Sequence, residues 1–432
     1  MSQMSSLNRQ TLHLRPDPAR VLVRPFRPAT EPRDLNPLDK TRANHIVDRV
    51  LGLDQDTAAS QLAEVLENFE GRHRNLLATF EARADDMEVA LASHTVFTRL
   101  QRQLVGAYFL HEYSFEASAL FNPSIVAHPD QAGVPDGCCR FILSLRAVGE
   151  GHISSLAFRS GLIAADGNVT VDPSARLASL PRVHNRTSGP NGDVVDLVFE
   201  TNEDISERVI FPITAAQSNG IEDARFVEFD DGDTKTFYAT YTAYSGGAIR
   251  SELLETVDFL SFRMSPLSGT ATLNKGMALF PKKFDGRYAM IGRQDNENLH
   301  LIYSDDLYVW DGGVPIMKPR FPWEFVQIGN CGSPIEIDEG WLMLTHGVGP
   351  IRRYSIGAVL LDKKDPSKVI ARSCEPLVRP APSEREGYVP NVVYTCGMMR
   401  HKDMIILPYA VSDTFSNFAT IEIAALLRSM EC

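Results

Sequence analysis

The chain carries an acid and a base in a short segment that comes just before a run of residues typical of a β-strand. The segment is GIEDAR at 220–225, and the run is the aromatic and β-branched stretch 236–244. An acid placed beside a strand can be held rigidly at the mouth of a pocket built from β-structure. Glu222 and Asp223 are the carboxyl groups that such a segment could present. The alternative is a structural ion pair among Glu222, Asp223 and Arg225 at a turn.

Composition and charge exclude several classes of function. The 432 residues have a formal net charge of −12, which argues against a nucleic-acid partner, because phosphate backbones require clustered Lys and Arg. The sequence contains no apolar run long enough for a membrane helix and no apolar leader at its start. Six cysteines without a CxxC spacing are typical of a reduced compartment. These features predict a cytoplasmic protein without a membrane partner.

No motif in the sequence requires a metal or an organic cofactor. The chain lacks the P-loop pattern, the GxSxG nucleophile elbow, the HExxH zinc motif and a dinucleotide-binding glycine pattern that opens a helix after a strand. We therefore expect no cofactor.

Hydrophobic periodicity divides the chain into three parts. Residues 1–40 are rich in Pro and Arg and predict an extended N-terminal arm. Residues 41–115 show apolar residues at three- and four-residue spacing with few helix breakers, which predicts a helical extension. Residues 116–432 then lose the helical period and show short β-rich runs broken by Gly, Pro, Asn and Asp, which predicts an all-β catalytic domain.

The β-rich part falls into about five blocks, most of them about 50–60 residues apart. They open near Asn122, Ile221, Ala278, Gly329 and Val389. The runs that predict strands are 140–145, 194–200, 237–244, 288–293, 299–303, 341–345, 354–361, 389–394 and 404–411. Blocks of this spacing favour a five-bladed β-propeller, with a two-sheet sandwich or jelly roll as the alternative.

Several phrases, in order along residues 120–425, resemble glycoside hydrolase family 130, the β-mannoside phosphorylases and related β-1,2-mannosidases. They are GIEDAR, TAYSG, NKGMALFPKKFDGRYAM, SDDLYVW, WEFVQIGNCGSPIEIDEGWLMLTHGV, GAVLLDKKDPSKVIAR, VPNVVYTCG and SDT. The resemblance implies a five-bladed propeller, in agreement with the number of blocks. The helical extension is absent from many family members. We expect it to pack on the propeller flank or to mediate contacts in a homo-oligomer.

The resemblance implies that Asp223 is the sole catalytic acid and protonates the leaving glycosidic oxygen, in the phosphorylases through the mannose 3-hydroxyl. A general acid must stay partly protonated near neutral pH, so we expect a raised pKa for Asp223. The resemblance also places inorganic phosphate beside Lys275 and His346, with Arg250 as a third ligand. Sugar recognition falls to the planar or carboxylate side chains of Asn122, Arg146, Arg293, Asp362 and Asp413.

The resemblance implies an inverting β-mannoside phosphorylase that acts on β-1,2-linked or related mannosides and releases α-mannose 1-phosphate. The first alternative is an inverting β-mannosidase, which needs a second carboxylate to activate water. Glu336 and Glu324 are the candidates for that base, and a carboxylate beside Lys275 would favour hydrolysis. The second alternative is a non-catalytic propeller that binds glycans. Trp323 and Tyr388 are candidates to stack on the acceptor sugar, with core packing as the alternative.

Overall fold

A computed structural model describes residues 7–29, 41–90, 97–232 and 234–430. The chain divides into two compact units. The smaller unit comprises Ala19–Ser114 with Arg176–Ser179, and the larger unit comprises the remainder. We predicted that the catalytic domain begins at 116, and the larger unit resumes at Phe115. Much of the predicted arm, residues 1–6 and 30–40, lies outside the described residues.

The chain is mostly β-sheet with few helices. The helices are α1 (Arg42–Leu51), α2 (Gln55–Phe69), α3 (Leu76–Ala90), α4 (Arg99–Tyr108) and α5 (Ile423–Ser429). The strands are β1 (Asn8–Leu14), β2 (Val21–Pro25), β3 (Leu110–Ser114), β4 (Ala119–Ala127), β5 (Cys139–Val148), β6 (Ser154–Ile163), β7 (Val169–Val171), β8 (Arg182–Gly189), β9 (Gly192–Val198), β10 (Val209–Ile210), β11 (Gly220–Asp230), β12 (Lys235–Tyr244), β13 (Ile249–Thr256), β14 (Ser261–Pro266), β15 (Ala278–Leu279), β16 (Tyr288–Gly292), β17 (Leu299–Ser304), β18 (Val314–Met317), β19 (Gln327–Asn330), β20 (Ile335–Ile337), β21 (Gly340–Gly349), β22 (Arg353–Leu361), β23 (Val369–Arg372), β24 (Val393–Tyr394), β25 (Met399–His401), β26 (Met404–Val411) and β27 (Phe415–Glu422).

The smaller unit consists of α1–α4 and the two-stranded sheet β2–β3. Thr41 and Thr98 begin α1 and α4 with side-chain caps, and Asp54 caps α2 by accepting a 2.8 Å hydrogen bond from the Thr57 amide. The apolar faces of the helices meet in one core that includes Phe80 and Leu104. This arrangement follows from the three- and four-residue spacing of apolar residues in the sequence.

The larger unit consists of antiparallel sheets that follow one another along the chain. One continuous sheet has the strand order β4-β5-β6-β11-β12-β13-β14-β9-β8, and its two halves meet at a parallel bridge between Gly220 and Ser154. The others are β15-β16-β17-β18, then β19-β21-β22-β23, then β1-β27-β26-β24. The predicted strand at 389–394 is wrong over most of its length, because only Val393 and Tyr394 pair in a sheet.

Apolar side chains join each sheet to the next. One cluster packs β11–β14 against β15–β17, and others join β15–β18 to β19–β23 and β19–β23 to β24–β27. The last sheet returns to the first, because the amide of Leu120 donates to the carbonyl of Thr414 (2.9 Å) and a small cluster includes Phe121 and Ala410. Buried faces on both sides explain why many strands read as continuous apolar runs.

None of the described helices is both long and apolar enough to span a membrane. Cys138, Cys139, Cys331 and Cys396 are free thiols, whereas Cys374 is disulfide-bonded. The latter departs from the reduced state that cysteine spacing predicted.

Gly106 lies where α4 crosses α3, and we expect Gly106→Ala to destabilise the helical unit. An alanine Cβ at this position would lie 1.8 Å from the carbonyl oxygen of Phe80, so one helix would have to move. Overpacking of this kind costs about 1–3 kcal/mol. Thermal unfolding followed by far-ultraviolet circular dichroism measures the effect. Gly71→Ala is the matched control, since its Cβ meets nothing within 4 Å. Equal stability of the two variants would contradict the prediction.

Candidate active site

Backbone irregularities in two strands present the central polar residues. The register of β11 with β12 shifts between Glu222 and Arg225, and that of β4 with β5 shifts between Phe121 and Ser124. Asp223 and Asn122 lie in these bulges with φ of 55° and 50°. Positive φ in a residue other than Gly is uncommon and is concentrated at functional sites. The two bulges turn both side chains toward each other.

The Asp223 carboxylate is buried and closely surrounded by donors. Asn122 Nδ2 donates to Asp223 Oδ1 at 2.6 Å, and Arg146 Nη1 lies 3.5 Å from the same oxygen. Arg225 Nη1 donates to the main-chain oxygen of Asp223 at 2.8 Å, and its Nη2 donates to the Tyr394 hydroxyl at 2.8 Å. The structure therefore brings the predicted acid together with two predicted sugar-binding residues, Asn122 and Arg146.

The pKa of Asp223 is lowered in the free protein, not raised as we expected. Burial raises the pKa, but the charges of Arg146, Arg225 and Lys275, together with the Asn122 hydrogen bond, outweigh burial. The expectation treated Asp223 as an isolated acid in an enclosed site. It omitted the cations that the fold places around this carboxylate.

Asp413 is a second carboxyl group in this electrostatic environment. It lies in the turn between β26 and β27 with φ of 49°. Burial and the negative charge of Asp223 raise its pKa to about 6, against the opposing charges of Arg146, Arg352 and Lys275. The site therefore contains two carboxyl groups whose pKa values are shifted in opposite directions, Asp223 downward and Asp413 upward to about 6.

Glu222 connects two of the site's cations. Arg146 Nη2 donates to Glu222 Oε1 at 2.5 Å, and Lys275 Nζ lies 3.8 Å from Glu222 Oε2. Lys275 keeps 40% of its side chain exposed, whereas Arg146 keeps 19%. Of the two cations, Lys275 is therefore the more accessible to an incoming anion.

Lys275, Arg293 and His346 are neighbours. Asn274, next to Lys275, donates from Nδ2 to the main-chain oxygen of Arg293 at 3.1 Å. Gly276 lies against the Arg293 guanidinium, since an added Cβ would be 3.8 Å from Nε. Arg293 Nη1 lies 3.3 Å from His346 Nε2. The structure therefore places Arg293, predicted to bind sugar, among the residues predicted to bind phosphate.

His346 is a neutral residue that orients Arg293. Burial and the charges of Arg293 and Arg225 hold its pKa well below the ordinary value. A neutral ring that donates from Nδ1 to the Asn330 carbonyl (3.2 Å) presents Nε2 as an acceptor for Arg293. The ring also stacks on Tyr354, with centroids 5.8 Å apart and planes at 14°. The side chain is buried, so any effect of His346 on a bound anion would pass through Arg293.

Arg250, predicted to bind phosphate, lies on the other face of its sheet. Ile221, Ala243 and Arg250 are in register across β11, β12 and β13, so their side chains share one face. The next residue, Ser251, faces the opposite way and donates to the main-chain oxygen of Asn274 at 2.9 Å. The Arg250 guanidinium instead pairs with buried Glu252, with Nε to Oε1 at 2.7 Å. The structure does not bring it together with Lys275.

Asp362, predicted to bind sugar, lies instead in a turn remote from the site. Its carboxylate accepts hydrogen bonds from the amides of Lys364 and Asp365 at 2.9 and 2.8 Å. His346 pairs with Ile356 in β22, and Asp362 follows six residues further along that strand. Six residues of strand extend about 20 Å. The Asp362 turn is therefore at the opposite end of the sheet.

Three other sequence candidates, Trp323, Glu324 and Glu336, have structural roles. Trp323 is buried, packs against Gly347 and Gly357, and donates from Nε1 to the Cys374 carbonyl at 2.9 Å. Glu324 is fully buried, accepts from the amides of Arg320 and Phe321, and is paired with Arg372. Glu336 pairs with Lys282 and Lys363. Neither glutamate is placed to activate water at Asp223.

Sequence reasoning missed three residues of the site. Arg225 and Glu222 were interpreted only as members of a structural ion pair, and Tyr394 was not singled out. The sequence did contain a signal for them, because all three lie in phrases that carry the family resemblance, GIEDAR and VPNVVYTCG. The contact of Arg225 with Tyr394 joins residues 169 positions apart, and only the fold brings them together.

A profile described as beta-1,4-mannooligosaccharide phosphorylase, of glycoside hydrolase family 130, matches residues 191–432. The chain belongs to glycoside hydrolase family 130. It is therefore a carbohydrate-active enzyme. The profile match includes Asp223, Lys275, Arg293 and His346, whereas Asn122 and Arg146 precede it.

Individual members of the family agree with this assignment. The chain is 35% identical over 215 residues to a 1,2-beta-oligomannan phosphorylase from Thermoanaerobacter sp., covering 48% of this chain and 70% of the relative. A beta-1,2-mannobiose phosphorylase from the same organism is 36% identical over 217 residues, covering 47% and 67%. The solved beta-1,2-mannobiose phosphorylase of Listeria innocua superposes with a TM-score of 0.52 at 21% identity, covering 72% and 92%. That similarity extends the shared fold beyond the profile match.

We expect Asp413→Asn to stabilise the protein at pH 8 by about 3 kcal/mol, and much less at pH 4. The pKa of the Asp413 carboxyl is about 6 in the folded protein and about 3.9 in an unfolded chain. The unfolded state therefore ionises first, and the native state loses stability as pH rises from about 4 to about 6. Asparagine removes this penalty and tolerates the left-handed backbone.

Urea unfolding at the two pH values measures the effect of Asp413→Asn. Asp362→Asn is the matched control, because that carboxylate has a lowered pKa in an exposed turn and should give no gain at pH 8. An equal gain from Asp413→Asn at both pH values would contradict the assignment of a raised pKa.

Proposed function

We propose that this enzyme is an inverting β-mannoside phosphorylase that cleaves β-1,2-linked mannosides with inorganic phosphate and releases α-mannose 1-phosphate. The observation that carries the proposal is that the charge of Lys275 acts on Asp223 and that Arg293 lies beside the Lys275 loop, while Glu324 and Glu336 are engaged elsewhere. The β-1,2 linkage rests on the names of the relatives described above. Inorganic phosphate is the only co-substrate, without a metal or organic cofactor.

Lys275 and Arg293 would bind the phosphate. Lys275 is exposed enough to meet an anion from solvent, and Arg293 has a buried Nε without a hydrogen-bond partner among the described residues. Arginine and lysine are the usual donors to phosphate oxygens. His346 fixes the Arg293 guanidinium so that little side-chain entropy is lost on binding.

In the proposed reaction, a phosphate oxygen attacks the anomeric carbon while the carbon–oxygen bond to the leaving sugar breaks on the opposite face. Asp223 supplies the proton to the leaving oxygen through the mannose 3-hydroxyl. The proton of hydrogen phosphate, released as the new ester forms, restores Asp223. A bound phosphate dianion would offset the positive charge of Lys275 and Arg146. The pKa of Asp223 would then rise at the stage at which Asp223 must carry a proton.

We also propose that the larger unit is a five-bladed β-propeller. The continuous sheet would supply the first two blades, joined at the Gly220–Ser154 bridge, and the remaining sheets would supply three more. Support comes from the chain order of the apolar clusters and from the return of β26 and β27 to β4. The turns that carry Arg293 and Asp413 would then surround the central axis with the Asp223 bulge.

Hydrolysis is the second candidate, because two observations favour it. Glu222 lies 3.8 Å from Lys275, which is the arrangement that we expected of a hydrolase. Asp413 has a pKa of about 6, which suits a general base. Phosphorolysis is the better supported, since Glu222 is already paired with Arg146 and the positive charge of the site's cations is not fully offset.

Cytoplasmic location and assembly as a homo-oligomer are also part of the proposal.

Asp223→Asn should reduce cleavage of β-1,2-mannobiose by about 10²–10⁴-fold, the usual contribution of a general acid. The assay follows mannose 1-phosphate and free mannose, with and without inorganic phosphate. The parent enzyme should form mannose 1-phosphate only when phosphate is present. Glu336→Gln is the control and should retain activity. Free mannose formed at the same rate without phosphate would establish hydrolysis instead.

Arg293→Ala should raise the KM for phosphate by about tenfold to a hundredfold, the value of a charge-assisted hydrogen bond. His346→Ala should raise the same KM by a smaller factor, because the histidine acts only through Arg293. Steady-state kinetics with varied phosphate measure both effects. Arg250→Ala is the matched arginine control and should leave the KM for phosphate unchanged. A large effect of Arg250→Ala alone would reverse the assignment of the two arginines.

A further inference from the structure

An exposed aromatic pair lies beside the Asp413 turn. Tyr388 is 49% exposed, and His152 is also exposed. The Tyr388 hydroxyl lies 2.9 Å from His152 Nδ1, and the ring centroids are 5.6 Å apart with an interplanar angle of 39°. Each side chain has an apolar ring face and a polar edge. The pair therefore offers a partly apolar surface that is held in place by its own hydrogen bond.

Main-chain contacts attach this pair to the site. The amide of Tyr388 donates to Thr414 Oγ1 at 2.9 Å, and the amide of Val389 donates to the carbonyl of Ser412 at 3.0 Å. Tyr388 thus lies against the turn that contains Asp413. His152 lies in the turn between β5, which carries Arg146, and β6. The aromatic pair therefore spans the two sheet ends that supply Arg146 and Asp413.

The phosphate cations come from other sheets. Arg293 follows β16, and His346 lies in β21, whereas His152 and Tyr388 are attached to the first and last sheets of the larger unit. Inversion requires the nucleophile and the leaving group on opposite faces of the sugar. The leaving sugar must therefore extend away from Lys275 and Arg293, and the Tyr388–His152 side is the part of the site where it would find a stacking surface.

The hairpin turn between β5 and β6 fixes the backbone of His152. Its φ is 59° and that of the preceding Gly151 is 68°, and the His152 amide donates to the Gly149 carbonyl at 3.2 Å. The consequence is that the imidazole is turned toward Tyr388.

We propose that Tyr388 and His152 form the binding surface for the reducing-end sugar of the mannoside, with Tyr388 stacking on its apolar face and His152 positioning the Tyr388 ring. This inference rests on the proposed function and specifies its acceptor side. The pair would contact only the reducing-end sugar and not the mannose unit that is transferred. It would therefore increase the affinity for a disaccharide but not for a monosaccharide.

Isothermal titration calorimetry in the Asp223→Asn background tests the proposal, because bound sugar is then not cleaved. Tyr388→Ala should weaken the affinity for β-1,2-mannobiose by about five- to tenfold, the usual value of an aromatic contact. The affinity for mannose should be unchanged. Tyr388→Phe should retain most of the disaccharide affinity, since the ring remains. His152→Asn, which tolerates the left-handed backbone, should show an intermediate loss.

Ile370→Ala is the matched control, because Ile370 is similarly exposed (53%) but lies in β23 near the remote Asp362 turn. It should bind both sugars as the parent does. Equal disaccharide affinity in Tyr388→Ala and its parent would overturn the inference and leave the proposed function intact. An equal loss for mannose and mannobiose would also overturn it. If the Asp223→Asn parent binds neither sugar and the unsubstituted enzyme cleaves no mannoside, the proposed function fails, and the inference fails with it.

Discussion

The site depends on two guanidinium groups, one buried and one partly buried, that compensate two adjacent carboxylates. Arg146 binds Glu222 and approaches Asp223 from one strand, and Arg225 binds the Asp223 main chain from the same strand as the acid. A buried carboxylate without such partners would be protonated or would destabilise the fold. These cations therefore allow the bulge in β11 to hold Asp223 as a buried, ionised carboxylate.

The same constraint determines the protonation of the site. Because Arg146, Arg225 and Lys275 lower the pKa of Asp223, the free protein holds this group ionised, and its charge in turn raises the pKa of Asp413. In the proposed reaction, an anion bound by these cations would raise the pKa of Asp223. Binding of the proposed nucleophile would then be coupled to protonation of the proposed acid.

Aromatic packing connects the two groups of cations. The Tyr354 ring stacks on His346, which orients Arg293, and the Tyr394 ring packs edge-on to His346 while its hydroxyl accepts from Arg225. Both tyrosines and the histidine come from the last two sheets of the chain. The two tyrosines and the histidine thus determine the orientation of the Arg293 and Arg225 guanidinium groups. A neutral histidine suits this role better than a charged one, since it can accept from Arg293.

The β-rich character and the positions of most strands were determined by the sequence alone. Local signals suffice for these features: alternation and apolar runs between turn residues for 237–244 and 404–411, and three- and four-residue spacing for the helices. The prediction of Asp223 as the acid needed the family resemblance of the GIEDAR phrase. Asn122, Arg146 and Asp413 were also identified from their phrases. The structure brings them together around the acid.

Only the tertiary structure decided which charged residues join the site. Arg250 and Ser251 are adjacent in sequence, yet strand alternation sends one toward Glu252 and the other toward the Lys275 loop. Asp362 is close to the His346 sheet in sequence but lies at its far end. The lowered pKa of Asp223 and the role of His346 depend on contacts between residues more than 50 positions apart, such as Arg293 with His346. Sequence periodicity reports which face and which element a residue belongs to, whereas electrostatics depends on distances between elements that only the folded chain establishes.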